Sequence, residues 1–190
     1  MVVAVLYVSP LCALGSALFA FRSVHHLALI LVLAPLLLRA TGASGRIPRV
    51  SLRVATALQA AVFWAWHVPS LYEAALTSDG AFWAMQASIT ASAMLWWAAL
   101  QRASPLGACV SLLAQTVQMG VLGALIVFAG RPLYAPHWLT TQPWGLSPLE
   151  DQQIAGLVMW VGGGGIALSI MAVMLYRALS PARPLAARSV

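Results

Sequence analysis

Four polar side chains stand where apolar runs of this chain begin or end: His26, His67, Gln86 and Asp151. Imidazole and thioether are the ligands a copper site uses, and Met85 and Met159 lie at the same level of the chain's apolar runs as these four. These residue types suit copper handling. If the protein holds copper, the expected ligands are His26 and His67 with help from Met85 or Met159, and two imidazoles with a thioether make a weak or transient Cu(I) site, short of a closed four-ligand one. Other chemistry finds less support. No nucleophile is paired with a base and no phosphate-binding loop is present, so the chain reads as non-enzymatic.

Each of these residues also has a plainer role. His25 and His26 are adjacent, so on a helix they diverge by about 100° and cannot both face one ligand. A histidine at the end of a span serves as a hydrogen-bonded anchor, and His67, beside Trp66 and two residues before Pro69, also suits a helix cap. Asp151 suits a helix start, where a carboxylate faces the positive end of the dipole. Arg22 and Asp151 are candidates to pair across the bundle mouth. His137, in a polar loop, reads as a solvated surface residue. Met94, Met119, Met171 and Met174 read as bundle filler.

The elements that position these groups are set by composition. At 62% hydrophobic and 7% charged residues, with mean hydropathy +0.88, the chain cannot cover a water-facing surface, and its apolar runs approach the ~20 residues a bilayer span requires. The expectation is an all-α, polytopic bundle: a single transmembrane domain over residues 1–179 and a tail over 180–190. Five full spans are expected near residues 22–38, 54–66, 81–100, 106–129 and 152–179. Ahead of them, Ser9-Pro10 breaks the N-terminal run into a short or kinked helix. No Lys or Arg precedes Arg22, so the N-terminus lacks the basic region of a secretory signal and reads as retained membrane segment. Pro35 is tolerable inside its span where a neighbouring helix satisfies the freed carbonyl. The run of four glycines at 162–165 is expected to permit close helix packing. Cys12 and Cys109 lack the spacing of a thiolate metal site.

Charge placement orients the bundle. The net charge of +6 comes from ten arginines, and a pI of 10.4 in a soluble domain would suggest nucleic acid. In a membrane protein it marks the cytoplasmic loops instead, and no nucleic-acid partner is expected. With the 39–53 loop inside, alternation puts Arg102, Arg177, Arg183 and Arg188 inside as well, and leaves Glu73, Asp79, Glu150 and Asp151 outside. The C-terminus is then cytoplasmic, and the polar loop at 131–150 is external.

That loop and the helix it feeds carry a resemblance. The segments F-A-G-R-P-L-Y and W-G-L-S-P-L-E-D-Q-Q-I-A-G-L-V-M-W, with W-H-V-P-S-L-Y-E-A-A-L and V-H-H-L-A-L-I-L-V-L-A-P-L-L-L, resemble the CtaG family of cytochrome c oxidase assembly factors over about residues 9–177. The resemblance implies a membrane protein that helps mature a haem–copper oxidase by assisting its copper centre, working with oxidase subunits or other assembly factors. It implies roles for Asp151 and Gln152, Pro69 and Tyr72, Pro132 and Tyr134, and Trp160, and assigns His26 and His67 to family histidines. Two positions depart from the pattern: Arg22 replaces the first histidine of an H-x-x-x-H pair, and Gln86 replaces another histidine. A guanidinium does not bind copper as imidazole does, so a four-histidine site is not available. The rival functions are a small-solute or metal transporter and a scaffold without metal. A transporter should show midplane ionisable groups or paired broken helices, and neither is evident.

Overall fold

A computed structural model describes residues 10–180. The segment upstream of Ser9-Pro10, most of the expected tail, Arg183 and Arg188 lie outside the described residues. All regular structure described is helical. We number the helices α1 (Pro10–Ala17), α2 (Phe19–Thr41), α3 (Leu52–Ala65), α4 (Pro69–Thr77), α5 (Asp79–Gln101), α6 (Pro105–Val127) and α7, which runs through Pro148–Leu157, a π-helical stretch Val158–Gly163, and Gly164–Leu179. Three of them, α2, α6 and the Pro148–Arg177 part of α7, are long and apolar enough to cross a bilayer. At 23 residues α5 is as long as α2 and α6, but Gln86, Thr90 and Ser92 dilute its apolar character. All three are buried against the bundle.

Local chemistry explains the helix ends. Ser51, Ser104 and Ser147 cap α3, α6 and α7, and Ser147 forms a reciprocal capping box with Glu150. Within α2, Pro35 brings no N–H, and the preceding turns widen into a π-helix at Leu29–Leu33. The carbonyl of Ile30 thereby loses its donor along the chain. Trp97 of α5 supplies one, its Nε1 donating at 2.7 Å, which is the neighbour's help that Pro35 calls for.

Side-chain hydrogen bonds then join the helices. Thr56 of α3 meets Ser111 of α6 at 2.8 Å, and Ser111 accepts from Trp96 of α5 at 2.9 Å. Ser92 donates to Gln59 at 2.7 Å, and Trp64 to Gln118 at 2.6 Å. Where polar side chains must satisfy one another, such a seam orders α3, α5 and α6. The closest backbone approach lies between α6 and α7: a Cβ on Gly156 would sit 2.7 Å from the Gly123 carbonyl oxygen, and one on Gly123 equally close to that of Gly156. The four-glycine run plays a smaller part than expected. Gly163 packs against Met119 and Leu27, whereas Gly162 and Gly165 face open space.

The ends of the long helices sort into two groups. One end carries Arg39, Arg46, Arg49, Arg53, Arg102 and Arg177, and there Arg102 donates to the carbonyls of Ser44 and Ile47. The other end gathers the start of α2, the 66–78 turn and α4, the start of α5, the 128–147 loop and the start of α7. The candidate site lies there.

Candidate functional site

The start of α2 has no capping side chain of its own, because Leu18 occupies the N-cap. Asp151 of α7 provides the cap: its carboxylate accepts from the Phe19 N–H at 2.7 Å and the Ala20 N–H at 3.1 Å. Fully buried, it satisfies two backbone donors that a helix start leaves open. Its neighbour Gln152 clamps the 128–147 loop. The Gln152 Oε1 accepts from the Leu133 N–H at 2.6 Å, and its Nε2 donates to the carbonyls of Ile126 and Arg131 at 3.1 and 3.3 Å. Pro132 thus sits in the clamped segment.

Pairing of Arg22 with Asp151 does not occur. Arg22 instead donates from Nε to the Gly15 carbonyl at 3.0 Å and from Nη2 to Ser16 Oγ at 3.3 Å, with its guanidinium 5.3 Å from the Phe82 ring centroid. Asp151 is drawn to the α2 N-terminus, and Arg22 is turned three residues further along that helix toward α1.

Above the start of α2 lies an aromatic layer. Phe19 stacks on Tyr134 with centroids 4.0 Å apart, and Tyr72 meets both rings edge-on at 5.1 and 5.0 Å. The Tyr134 hydroxyl donates to the His67 carbonyl at 2.9 Å. His137 belongs to this layer and is not a solvated surface residue: it is 2% exposed. Its Nδ1 faces the Ala17 carbonyl at 3.2 Å and its Nε2 faces the Tyr72 hydroxyl at 2.7 Å. A carbonyl only accepts, so Nδ1 carries the proton and Nε2 accepts from Tyr72. The sequence hid this because a place in a proline-broken loop holds no signal of a Tyr72 partner 65 residues away.

Beneath the layer are the histidines expected to act. His25 and His26 point apart as helical spacing requires: Gln86 Nε2 lies 3.1 Å from His25 Nε2, while His26 faces His67 with ring centroids 5.5 Å apart. His67 donates from Nδ1 to the Phe63 carbonyl at 2.7 Å. That fixes its tautomer and leaves Nε2 as a lone-pair donor, the arrangement in which a backbone carbonyl orients a metal-binding imidazole. Burial holds the His67 pKa down to about 4, with the Phe63 carbonyl acting in the opposite sense, so the ring is neutral near pH 7. His67 Nε2 and both nitrogens of His26 are buried without a hydrogen-bond partner, as are Ser23 Oγ, Gln86 Oε1 and Arg22 Nη1. Met85 and Met159 are fully buried on α5 and in the π-helical stretch of α7. No group of three or more His, Cys, Asp or Glu among the described residues is placed to hold a metal ion. The available nitrogen set is therefore the His26–His67 pair.

The comparison that bears on this arrangement is with a protein-family model: the cytochrome c oxidase caa3 assembly factor matches residues 48–180. The chain belongs to that family. The match spans α3 to α7 and includes His67, Pro69, Tyr72, Pro132, Tyr134, Asp151, Gln152 and Trp160. In this caa3 assembly factor Pro69 opens α4, Tyr72 and Tyr134 form the aromatic layer, and Trp160, further along α7, covers Gly120 and Gly123 of α6. Arg22 and His26 lie upstream of the matched stretch. No curated protein and no solved structure matches the chain.

The layer has a pH signature. Burial holds His137 down to about 4 from its ordinary 6.5, aided by Arg22 and opposed by the Ala17 carbonyl. A histidine whose folded pKa is depressed contributes stability above its unfolded pKa and loses it as pH falls toward the folded value. About 3 kcal/mol from His137 is therefore expected to disappear between pH ~6.5 and ~4. Thermal unfolding of the detergent-solubilised protein across that window should show a steeper drop for the native chain than for His137→Asn. Equal slopes would remove His137 as the titrating group.

Proposed function

We propose that this chain is a membrane-embedded, non-catalytic assembly factor for haem–copper cytochrome c oxidase, and that it holds copper transiently at the His26–His67 mouth. Family membership supports the assembly role. The copper reading rests on one observation: three imidazole nitrogens, His67 Nε2 and both of His26, are buried, unpartnered and on facing rings. Leaving such groups unsatisfied is costly, and a soft cation with two nitrogen ligands relieves it. Met85 and Met159 are the thioethers that would complete the set. Transient ligation suits delivery, because a carrier that binds too tightly does not release its metal.

The bilayer reading follows from the same architecture. We infer five spans, α2, α3, α5, α6 and α7, with α1 as a short external helix. Three helices have the length and apolarity for this, and the polar residues of α5 are turned inward. The collected arginines support a reading in which the basic end, and with it the C-terminus, faces the cytoplasm of a bacterial plasma membrane. Oxidase subunits or other assembly factors are the partners such a role requires.

Two measurements test this. Cu(I) affinity in detergent should fall at least about tenfold in the His26→Ala/His67→Ala double variant, since two of the ligands are removed. Unchanged affinity in the double variant, or no binding to the native protein, removes the His26–His67 site, and absent binding leaves a scaffold without metal. Deleting the gene should lower oxidase activity and copper content under copper limitation, and normal oxidase would refute the assembly role.

A further inference from the structure

The charge at this mouth is unbalanced. Arg22 places a guanidinium fully inside the protein, and its hydrogen bonds go to the neutral Gly15 carbonyl and Ser16 hydroxyl. Asp151, the buried acid of the mouth, gives its carboxylate to the α2 N-terminus instead. Arg22 Nη1 is left without a hydrogen bond, and the group that interacts with the Arg22 side chain from α4, the Tyr72 hydroxyl, is neutral and offsets no charge. An unmet donor of this kind is among the costlier features a protein interior holds.

Position ties this donor to the imidazoles. Arg22 and His26 are four residues apart on α2, so they lie one turn apart on the same face. Ser23, three residues before His26, adds a second unpartnered polar atom to that face. A bare cation held by His26 and His67 would put a second positive charge beside a buried guanidinium. An anion bound with it would offset both charges and give Nη1 its acceptor. For Cu(I), which two imidazoles leave short of ligands, the matching anion is a soft one.

We propose that the mouth takes Cu(I) together with a thiolate, whose sulfur completes the coordination begun by His26 and His67 and accepts a hydrogen bond from Arg22 Nη1. This rests on the copper reading above. In the binding step the thiol S–H bond breaks, a Cu–S bond forms and the proton leaves to solvent, with copper remaining Cu(I) throughout. The cargo is then a copper–thiolate unit, and the thiolate belongs to a small donor thiol or to a cysteine of the protein that exchanges copper with this one.

The experiment uses the full chain purified in detergent, with Cu(I) competed against a chromophoric chelator in the absence and presence of one equivalent of a small uncharged thiol. The thiol should tighten copper binding by more than about tenfold, because a third copper ligand adds to one hydrogen bond from a charged group. Arg22→Gln should cut that gain by about tenfold, the worth of the lost hydrogen bond, and Arg22→Lys should restore part of it. Because Arg22 also holds α1, a second readout uses the native protein alone. X-ray absorption with a small selenol in place of the thiol should show copper–selenium scattering, which neither methionine can mimic. Equal affinity with and without thiol, or a thiol gain undiminished in Arg22→Gln, overturns the proposal and leaves the copper site standing, as does copper bound without a selenium neighbour. No copper binding under either condition overturns both.

Discussion

Asp151→Ala is expected to destabilise the protein by about 3 kcal/mol, the sum of a lost helix cap and a lost pair of charge-assisted hydrogen bonds. The carboxylate is fully buried, and the donors it leaves behind, the N–H groups of Phe19 and Ala20, sit where water does not replace it. The loss propagates. Phe19 anchors the aromatic layer with Tyr72 and Tyr134, and α2 carries Arg22, His25 and His26. Asp151→Asn keeps one accepting oxygen in place and should lose about half as much. Denaturant titration in mixed micelles, followed by helical circular dichroism, measures both variants. Asp151→Ala as stable as the native chain would mean that α2 is held by packing alone.

Gly156→Ala is the second large effect. Its Cβ would lie 2.6 Å from Val127 Cγ2 and 2.7 Å from the Gly123 carbonyl oxygen. The latter is backbone and cannot rotate aside, so α6 and α7 must separate. Overpacking of this kind costs about 2 kcal/mol after the helix-propensity gain of alanine is credited. Gly162→Ala is the matched control on the same helix: nothing lies within 4 Å of its Cβ, so it should be neutral or stabilising by up to about 1 kcal/mol. Comparing the two unfolding midpoints checks the α6–α7 contact, and a Gly156→Ala variant that matches the control would refute it. Moving α7 also moves Asp151 and Gln152, so Gly156→Ala should loosen the loop that Gln152 clamps.

Much of the helix layout was legible because it depends on local pattern. Apolar runs located α2, α6 and α7, Asp151 suited the helix start at which it sits, and Pro35 announced that a neighbour would have to help α2. Helical periodicity alone separated His25 from His26, and the structure turns one toward Gln86 and the other toward His67. The short α4 was less visible, since Trp66, His67 and Pro69 read as the exit from a span rather than as the turn into another helix.

Long-range geometry settled what those local signals left open. An arginine and an aspartate at one end of a bundle look like an ion pair by charge alone, yet which partner wins depends on where the α2 N-terminus lands, and it lands on Asp151. His137 carried the sequence signature of an exposed loop residue, but Tyr72 and the end of α1 close over it. Four consecutive glycines drew notice as a packing run, while the tightest backbone contact is between single glycines 33 residues apart, Gly123 and Gly156. Residue type and periodicity determine which groups can bind, cap or pack, because those are properties of one side chain on one helix. Only the tertiary structure decides which of them meet, because backbone donors, carbonyls and the angle between two helices belong to no single position in the chain.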